Sequence, residues 1–163
     1  MSKKKFFWDF FFIFSIFLID RVTKILMIHF AEILGKTTIT VTPFLNLNLI
    51  WNNGIAFGLL SFDQKFYYNF LTLLIILITL IIFWMILRTE KFERFAFMMI
   101  FGGSLGNIFD RLFYSAVPDF IDLNYNDFHW FIFNVADVFI TLGVVCLIFV
   151  EIIFNKVEKK TNE

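Results

Sequence analysis

The residues most suited to chemistry are acids and amides set in apolar sequence between Gly102 and Asp137. This stretch holds five aspartates in a chain that is 60% hydrophobic. A charged side chain at the centre of a membrane helix costs about 2.5–3.5 kcal/mol on insertion scales. Two carboxyl groups held close together share one proton, so that one can deprotonate water while the other donates a hydrogen bond to a carbonyl group. We expect Asp119 and Asp137 to form such a pair.

Composition narrows the class of protein. A mean hydropathy of +0.80 with 17% charged residues lies outside the range of soluble domains and indicates an integral membrane protein. The net charge is zero, which gives no support for nucleic-acid binding. The single cysteine, Cys146, excludes an intramolecular disulfide, and no Cys/His cluster has metal-ligand spacing, so we expect no metal and no cofactor. His29 and His129 lie at segment ends and have no partners at metal-ligand spacing, so an interfacial role is expected for them.

The apolar runs predict an all-α integral membrane protein with four transmembrane helices, at about 6–29, 66–88, 95–114 and 128–154. The run 66–87 is uncharged, and at about 1.5 Å per residue it is long enough to cross the hydrocarbon core. Between helices 1 and 2, residues 37–58 alternate or are β-branched and include an Asn-Gly turn, which predicts a small extramembrane β-sheet. A short interfacial helix is expected at 59–65, and a polar connection at 115–127.

The basic residues predict the topology. Nine lie on one side of the predicted spans and two on the other. The nine are Lys3, Lys4, Lys5, Arg88, Lys91, Arg94, Lys156, Lys159 and Lys160, and the two are Lys36 and Lys65. Both termini are therefore expected in the cytoplasm, with residues 30–65 and 115–127 outside and the polar residues of the helices near the outer face.

Helical spacing groups the remaining polar residues. Asp20 and Lys24 are four residues apart and can form an ion pair, either structural or functional. Gly103, Asn107 and Arg111 share one face of helix 3, which Gly102 and Gly106 keep thin enough for close approach. Asn134 and Asp137 share a face of helix 4. Asp122 and Asp127 are expected to be solvated charges.

Three functions remain open on this pattern alone. One is a protease that uses the two acids. Another is a small proton-coupled transporter or channel subunit that uses buried acids as a relay. The third is an assembly factor whose glycine-rich helix face pairs with another helix.

Five sequence blocks, taken in order, resemble the lipoprotein signal peptidase (signal peptidase II) family. They are DRVTK at 20–24, NGIAFG at 53–58, GGSLGNIFDR at 102–111, VPDF at 117–120 and FNVAD at 133–137. The resemblance covers essentially the whole chain and implies one membrane-embedded peptidase domain over 1–163. Pro118 departs from the aliphatic or small residue that we expect before the first catalytic aspartate.

The resemblance implies an intramembrane aspartic endopeptidase of the bacterial cytoplasmic (inner) membrane. Its substrates would be diacylglyceryl-modified prolipoproteins, cut just before the lipid-modified cysteine, and it would act as a monomer among membrane lipids. The catalytic residues would be Asp119 and Asp137. The residues that bind the substrate or support the site would be Asp20, Lys24, Asn53, Gly54, Asn107, Arg111 and Asn134, while Asp110 would be structural.

Overall fold

The computed structural model describes residues 3–54, 65–125 and 128–161. Within these ranges it has four helices and four strands. The helices are α1 (Lys3–Leu34), α2 (Lys65–Arg88), α3 (Lys91–Tyr114) and α4 (Val135–Thr161), and the strands are β1 (Thr38–Thr42), β2 (Leu45–Asn52), β3 (Val117–Tyr125) and β4 (Phe128–Phe133).

Helix α3 is the centre of the helical bundle, because it packs against α1, α2 and α4. Its glycines allow this close approach. A Cβ atom on Gly103 would lie 2.5 Å from the carbonyl oxygen of Ala136 on α4, and one on Gly106 would collide with the carboxylate of Asp20 on α1. The predicted thin face of α3 is confirmed, and it brings polar groups of α1 and α4 against one helix.

The four strands form one antiparallel sheet in the order β1-β2-β3-β4. Two hairpins from distant parts of the chain meet in it, since β2 pairs with β3. In that pairing Ile50 lies opposite Asp119 and Trp51 opposite Pro118. Leu49 and Phe120 pack with Met27 of α1, which fixes the sheet against the end of that helix.

The sheet corrects two expectations. Residues 115–127 are not a polar connection and the fourth helix does not begin at 128, because 117–125 and 128–133 are strands and α4 begins at Val135. The run FHWFIF is short, apolar and uncharged, and such a run does not distinguish a strand from a buried helix. The sheet predicted within 37–58 is confirmed by β1 and β2, but these two strands are only half of it.

Several boundaries also differ. Helix α1 continues to Leu34, and α3 begins at Lys91. Lys65 is the first residue of α2. The rest of the short helix expected at 59–65 lies outside the described residues, as does the end of the predicted β-rich segment, 55–58.

The departure at Pro118 has a structural explanation. The pairing of β3 with β4 ends at Ile121 opposite Phe133, so Pro118 lies in a part of β3 that is paired only with β2. Proline is tolerated where one side of a strand has no ladder to maintain. The side chain is fully buried, so it supports the segment that carries Asp119.

Two of the helices are long and apolar enough to cross a membrane, Phe66–Arg88 and Val135–Ile152. In α1 and α3 charged residues interrupt the apolar sequence, among them Asp20, Arg21 and Lys24 on α1. The structure therefore has four helices with a small antiparallel sheet, and the four-span arrangement stays a prediction.

Candidate active site

Asp119 and Asp137 line one cavity of about 320 Å³ at the end of the bundle next to the sheet. Asp119 lies on β3 and Asp137 in the first turn of α4. Asn134, directly before α4, joins the two. Its side-chain amide donates to Asp119 Oδ1 at 2.6 Å, and its backbone N–H donates to Asp137 Oδ2 at 3.1 Å. The predicted pair of acids is thus brought to one cavity by a strand and a helix N-terminus.

Each of these two carboxylates has a second donor, and that donor is also an uncharged amide. Asn52 of β2 donates to Asp119 Oδ2 at 2.9 Å, and Asn107 of α3 donates to Asp137 Oδ1 at 2.8 Å. A neutral donor stabilises a carboxylate less than a cation does. These side chains therefore fix the geometry of the two acids without fixing their charge.

Asp119 is buried enough for its protonation to be affected. Burial raises the pKa of Asp119 from 3.8 to about 6. The hydrogen bonds from Asn134 and Asn52 and the charge of Lys24 act in the opposite direction, while the negative charge of Asp137 raises the pKa further. A pKa near 6 places the ionisation of Asp119 close to neutral pH, as general acid–base chemistry requires.

The amide of Asn107 is oriented from α1. Lys24 Nζ donates to Asn107 Oδ1 at 2.9 Å, so the NH₂ group of Asn107 must face Asp137. The ion pair predicted between Lys24 and Asp20 is present at 3.0 Å, and Asp20 Oδ1 also accepts from the backbone N–H of Ala136 at 3.0 Å. Helix α1 thus contacts the first turn of the helix that carries Asp137.

A second acid, Asp110, completes this group of charged residues. It is fully buried and accepts from Lys24 Nζ at 2.6 Å and from Arg21 Nη2 at 2.7 Å. Arg21 was not predicted as part of the site. Its sequence position beside Asp20 gives no sign that it reaches an acid on another helix.

Arg111 lies at another wall of the same cavity. It donates to the carbonyl oxygen of Gly54 at 3.2 Å, and its guanidinium lies 5.5 Å from the ring centroid of Tyr68. Its Nε and Nη1 atoms are buried and have no hydrogen-bond partner among the residues that the structure describes. Gly54, predicted as a site residue, takes part through its backbone, since its N–H donates to Asn52 Oδ1 at 3.0 Å.

Asn53 does not occupy the place expected for it. Its side chain is exposed, whereas the preceding residue, Asn52, lines the cavity and donates to Asp119. Side chains alternate along a strand, and Asn52 is on the face shared with Asp119 because Ile50 lies directly opposite that residue. Sequence alone did not supply this register.

One expectation about the sheet is wrong. Asp122 is only 2% exposed, not solvated. Both of its carboxylate oxygens lie 3.0 Å from Nδ1 of His129. The two residues belong to adjacent strands. Asp127 lies outside the described residues. Within the described ranges, no three acidic, histidine or cysteine side chains are grouped so as to hold a metal ion.

Known proteins of one family are similar to this chain. The family model described as signal peptidase (SPase) II matches residues 12–154. A lipoprotein signal peptidase of Pelagibacter ubique (strain HTCC1062) is 52% identical over 163 residues, which is 100% of this chain and 97% of that protein. A lipoprotein signal peptidase of Francisella tularensis subsp. novicida (strain U112) is 40% identical over 144 residues, which cover 85% and 88% of the two chains.

A solved structure has a similar fold. A bacterial membrane enzyme determined by the in meso method at 2.3 Å resolution superposes with a TM-score of 0.67 at 30% identity, covering 95% of this chain and 90% of that one. The family model and the relatives span the helices and the sheet that together form the cavity. On these findings the chain belongs to the signal peptidase II family.

Proposed function

We propose that this protein is an intramembrane aspartic endopeptidase that removes the signal peptide from diacylglyceryl-modified prolipoproteins, cutting just before the lipid-modified cysteine. The observation that carries the proposal is the pair Asp119 and Asp137, held at one cavity by neutral amides in a chain of this family. The comparisons lend no support to a transporter.

The pair divides acid and base roles. With a pKa of about 6, Asp119 is mostly ionised at neutral pH, so we assign it as the base that takes a proton from the attacking water. Asp137 donates its proton to the oxygen of the scissile carbonyl as the tetrahedral intermediate forms. Collapse of the intermediate breaks the C–N bond, the new amine leaves with the proton held by Asp119, and Asp137 recovers its own proton.

Asn134 makes this division possible by its position between the acids. It donates to one oxygen of each carboxylate and so leaves both groups aimed at the same space. Asn52 and Asn107 occupy the other oxygens. Because the scissile bond must approach within about 3–3.5 Å of the reacting groups, such fixed geometry contributes directly to rate.

Substrate binding is assigned to two features beside the acids. The unpartnered Nε and Nη1 of Arg111 can donate to peptide or ester carbonyl oxygens of the substrate. An apolar groove of about 200 Å³, lined by Phe131, Phe133, Val138, Thr141 and Leu142 together with Asp137, can take an apolar segment of the lipid-modified peptide. Trp51 of β2, whose side chain is 42% exposed, is also assigned to gripping the peptide, together with Phe57, which lies outside the described residues.

A membrane location agrees with where the side chains of the helices lie. On α1 the charged residues Asp20, Arg21 and Lys24 are buried, while large apolar side chains such as Phe10, Phe14 and Leu18 are exposed. Exposed apolar and buried charged side chains suit a helix surrounded by lipid. We therefore propose four spans in the bacterial inner membrane, both termini in the cytoplasm, and the cavity near the outer face.

The acids are tested with isosteric variants in purified, reconstituted protein. With a diacylglyceryl-modified prolipoprotein, Asp119→Asn and Asp137→Asn are each expected to lower the cleavage rate by at least about 10³-fold, since each removes an acid–base group. The matched control is Asp122→Asn, the same change at a buried aspartate of β3 that does not line the cavity.

The control is expected to keep wild-type cleavage, and gel filtration with thermal unfolding is expected to show all variants folded. If both cavity variants cleaved as fast as wild type, the assignment of the acids would be wrong. If the wild type failed to release the signal peptide, the proposed activity itself would be wrong.

A further inference from the structure

We propose that Arg21 is a positioning residue that sets the charge balance beside the two cavity acids, by neutralising Asp20 and Asp110 so that Lys24 remains available to Asn107. This inference rests on the proposed function, because the consequence is read in the pH dependence of cleavage. It assigns to Arg21 a role that depends on its charge as well as its packing.

The four charged residues of α1 and α3 form a closed group. Arg21 donates to both oxygens of Asp110 and, through Nη2, to Asp20 Oδ2 at 2.8 Å. Lys24 contacts the same two acids, at 3.0 Å for Asp20 Oδ1 and 2.6 Å for Asp110 Oδ2. Asp20, Asp110 and Lys24 are fully buried, and Arg21 is 7% exposed. Two cations therefore balance two anions with little access to water.

Arg21 is held in place by aromatic rings as well. Its guanidinium carbon lies 4.9 Å from the ring centroid of Phe109 and 6.0 Å from that of Phe17. A guanidinium between ring faces and a carboxylate keeps its planar fork in one orientation. The charge of Arg21 is thus fixed against Asp110, while Lys24 is the member of the group that donates to Asn107.

The position of Lys24 explains how the net charge of the α1–α3 group affects Asp119 and Asp137. Its ammonium group donates hydrogen bonds to Asp110 and Asn107 and forms an ion pair with Asp20 at 3.0 Å. Without Arg21 the group would carry one uncompensated negative charge, and both acids would depend on Lys24 alone. The contact from Lys24 through Asn107 to Asp137 would weaken, and the field at Asp119 and Asp137 would become more negative.

Other charged or titratable groups around the cavity acids are few among the described residues. They are Asp20 and Lys24 from α1, Tyr68 from α2, Asp110 and Arg111 from α3, Asp122 from β3 and His129 from β4. Among these, the α1–α3 group changes its net charge by one unit when Arg21 alone is replaced by a neutral residue.

The test measures the pH profile of kcat/KM for cleavage in two variants, whose acid limbs are expected to shift in opposite directions. Arg21→Gln makes the group net negative, so the acid limb of the profile is expected to move to higher pH by about one unit. Asp110→Asn makes the group net positive, so the limb is expected to move to lower pH. The double variant Arg21→Gln/Asp110→Asn restores neutrality, and its limb is expected to return towards the wild-type position.

Two further variants separate charge from packing. Arg21→Lys keeps the charge and is expected to keep the wild-type limb, even if it lowers stability. Arg88→Gln is the matched control, because Arg88 also lies against an aromatic ring, Trp84 at 5.5 Å, but at the opposite end of the bundle, and its profile is expected to be unchanged.

A purely structural Arg21 would give one of two results. Either Arg21→Gln would keep the wild-type limb, or the double variant would be shifted as far as the single one; each would overturn the proposal. Infrared titration of the carboxyl groups in substrate-free protein measures the shift in their ionisation directly, without turnover. A shift there with no cleavage by the wild type would uphold the charge balance and reject the proposed function.

Discussion

The structure has two pairs of aspartates near the end of the bundle next to the sheet, and they differ in what holds them. Asp20 and Asp110 are fully buried and paired with Arg21 and Lys24. Asp119 and Asp137 accept hydrogen bonds from neutral amides and line an open cavity. A carboxylate paired with cations is fixed in its ionised form, whereas one held by amides can gain and lose a proton. On the proposed function, the partners are therefore expected to separate structural acids from reactive ones.

The largest expected effect tests the structural pair. Asp110→Asn leaves Arg21 and Lys24 facing one carboxylate, and breaking a buried ion pair costs about 3–5 kcal/mol. Thermal unfolding is expected at a temperature lower by about 10 °C. Asp137→Asn, which breaks no ion pair, is expected to unfold close to the wild-type temperature. Because Cys146 is the chain's single cysteine, its reaction with a thiol-specific fluorophore reports unfolding.

The proposed difference between the two pairs of acids would be wrong if Asp110→Asn and Asp137→Asn lowered the unfolding temperature equally. The cation-paired and amide-held acids would then serve the fold alike, and their partners would not distinguish their roles. A lower unfolding temperature in Asp110→Asn alone would support the difference between the two pairs.

Much of this arrangement was within reach of the sequence, and the parts that were not have physical causes. Charged residues in apolar runs are costly, so their positions alone singled out Asp20, Lys24, Asp119 and Asp137. Spacing by four residues predicted the Asp20–Lys24 pair, which the structure confirms. These inferences depend only on local periodicity and on the energy of burying charge.

Long-range register was out of reach. Whether Asn52 or Asn53 faces Asp119 depends on the pairing of β2 with β3, two strands separated by α2 and α3. A shift of one residue exchanges the two faces of a strand, and no local pattern in WNNG fixes that choice. The contact from Arg21 to Asp110 is missed for a similar reason, since it joins helices whose relative rotation the sequence does not give.

A smaller effect tests the pair Asp119 and Asp137 at Asn52, which the pairing of β2 with β3 places beside Asp119. Asn52→Ala removes a donor that stabilises ionised Asp119, so the pKa of Asp119 is expected to rise further above about 6. The acid limb of the kcat/KM profile then moves to higher pH, with about a tenfold loss of rate on that limb and a smaller loss above pH 8. Asn53→Ala, the same change at the exposed neighbour, is expected to keep the wild-type profile.

That pairing of variants is decisive for the base role of Asp119. An unchanged limb in Asn52→Ala would mean that Asp119 does not govern the ionisation seen in the profile. An equal shift in Asn53→Ala would mean that the strand register around Asp119 is not the one described.

The smallest effect concerns a third kind of buried aspartate. Asp122 is 2% exposed, but the side chain of its partner His129 is 56% exposed, so solvent screens one end of the pair. Exposed ion pairs contribute about 0–1 kcal/mol, and His129→Gln is therefore expected to lower the unfolding temperature by at most about 3 °C and to leave cleavage unchanged. A loss as large as that of Asp110→Asn would show that burial of the carboxylate alone decides its cost. A small loss of unfolding temperature would show that the cost also depends on a buried partner. Asp110 is enclosed with the buried Arg21 and Lys24, whereas Asp122 is paired with the exposed His129.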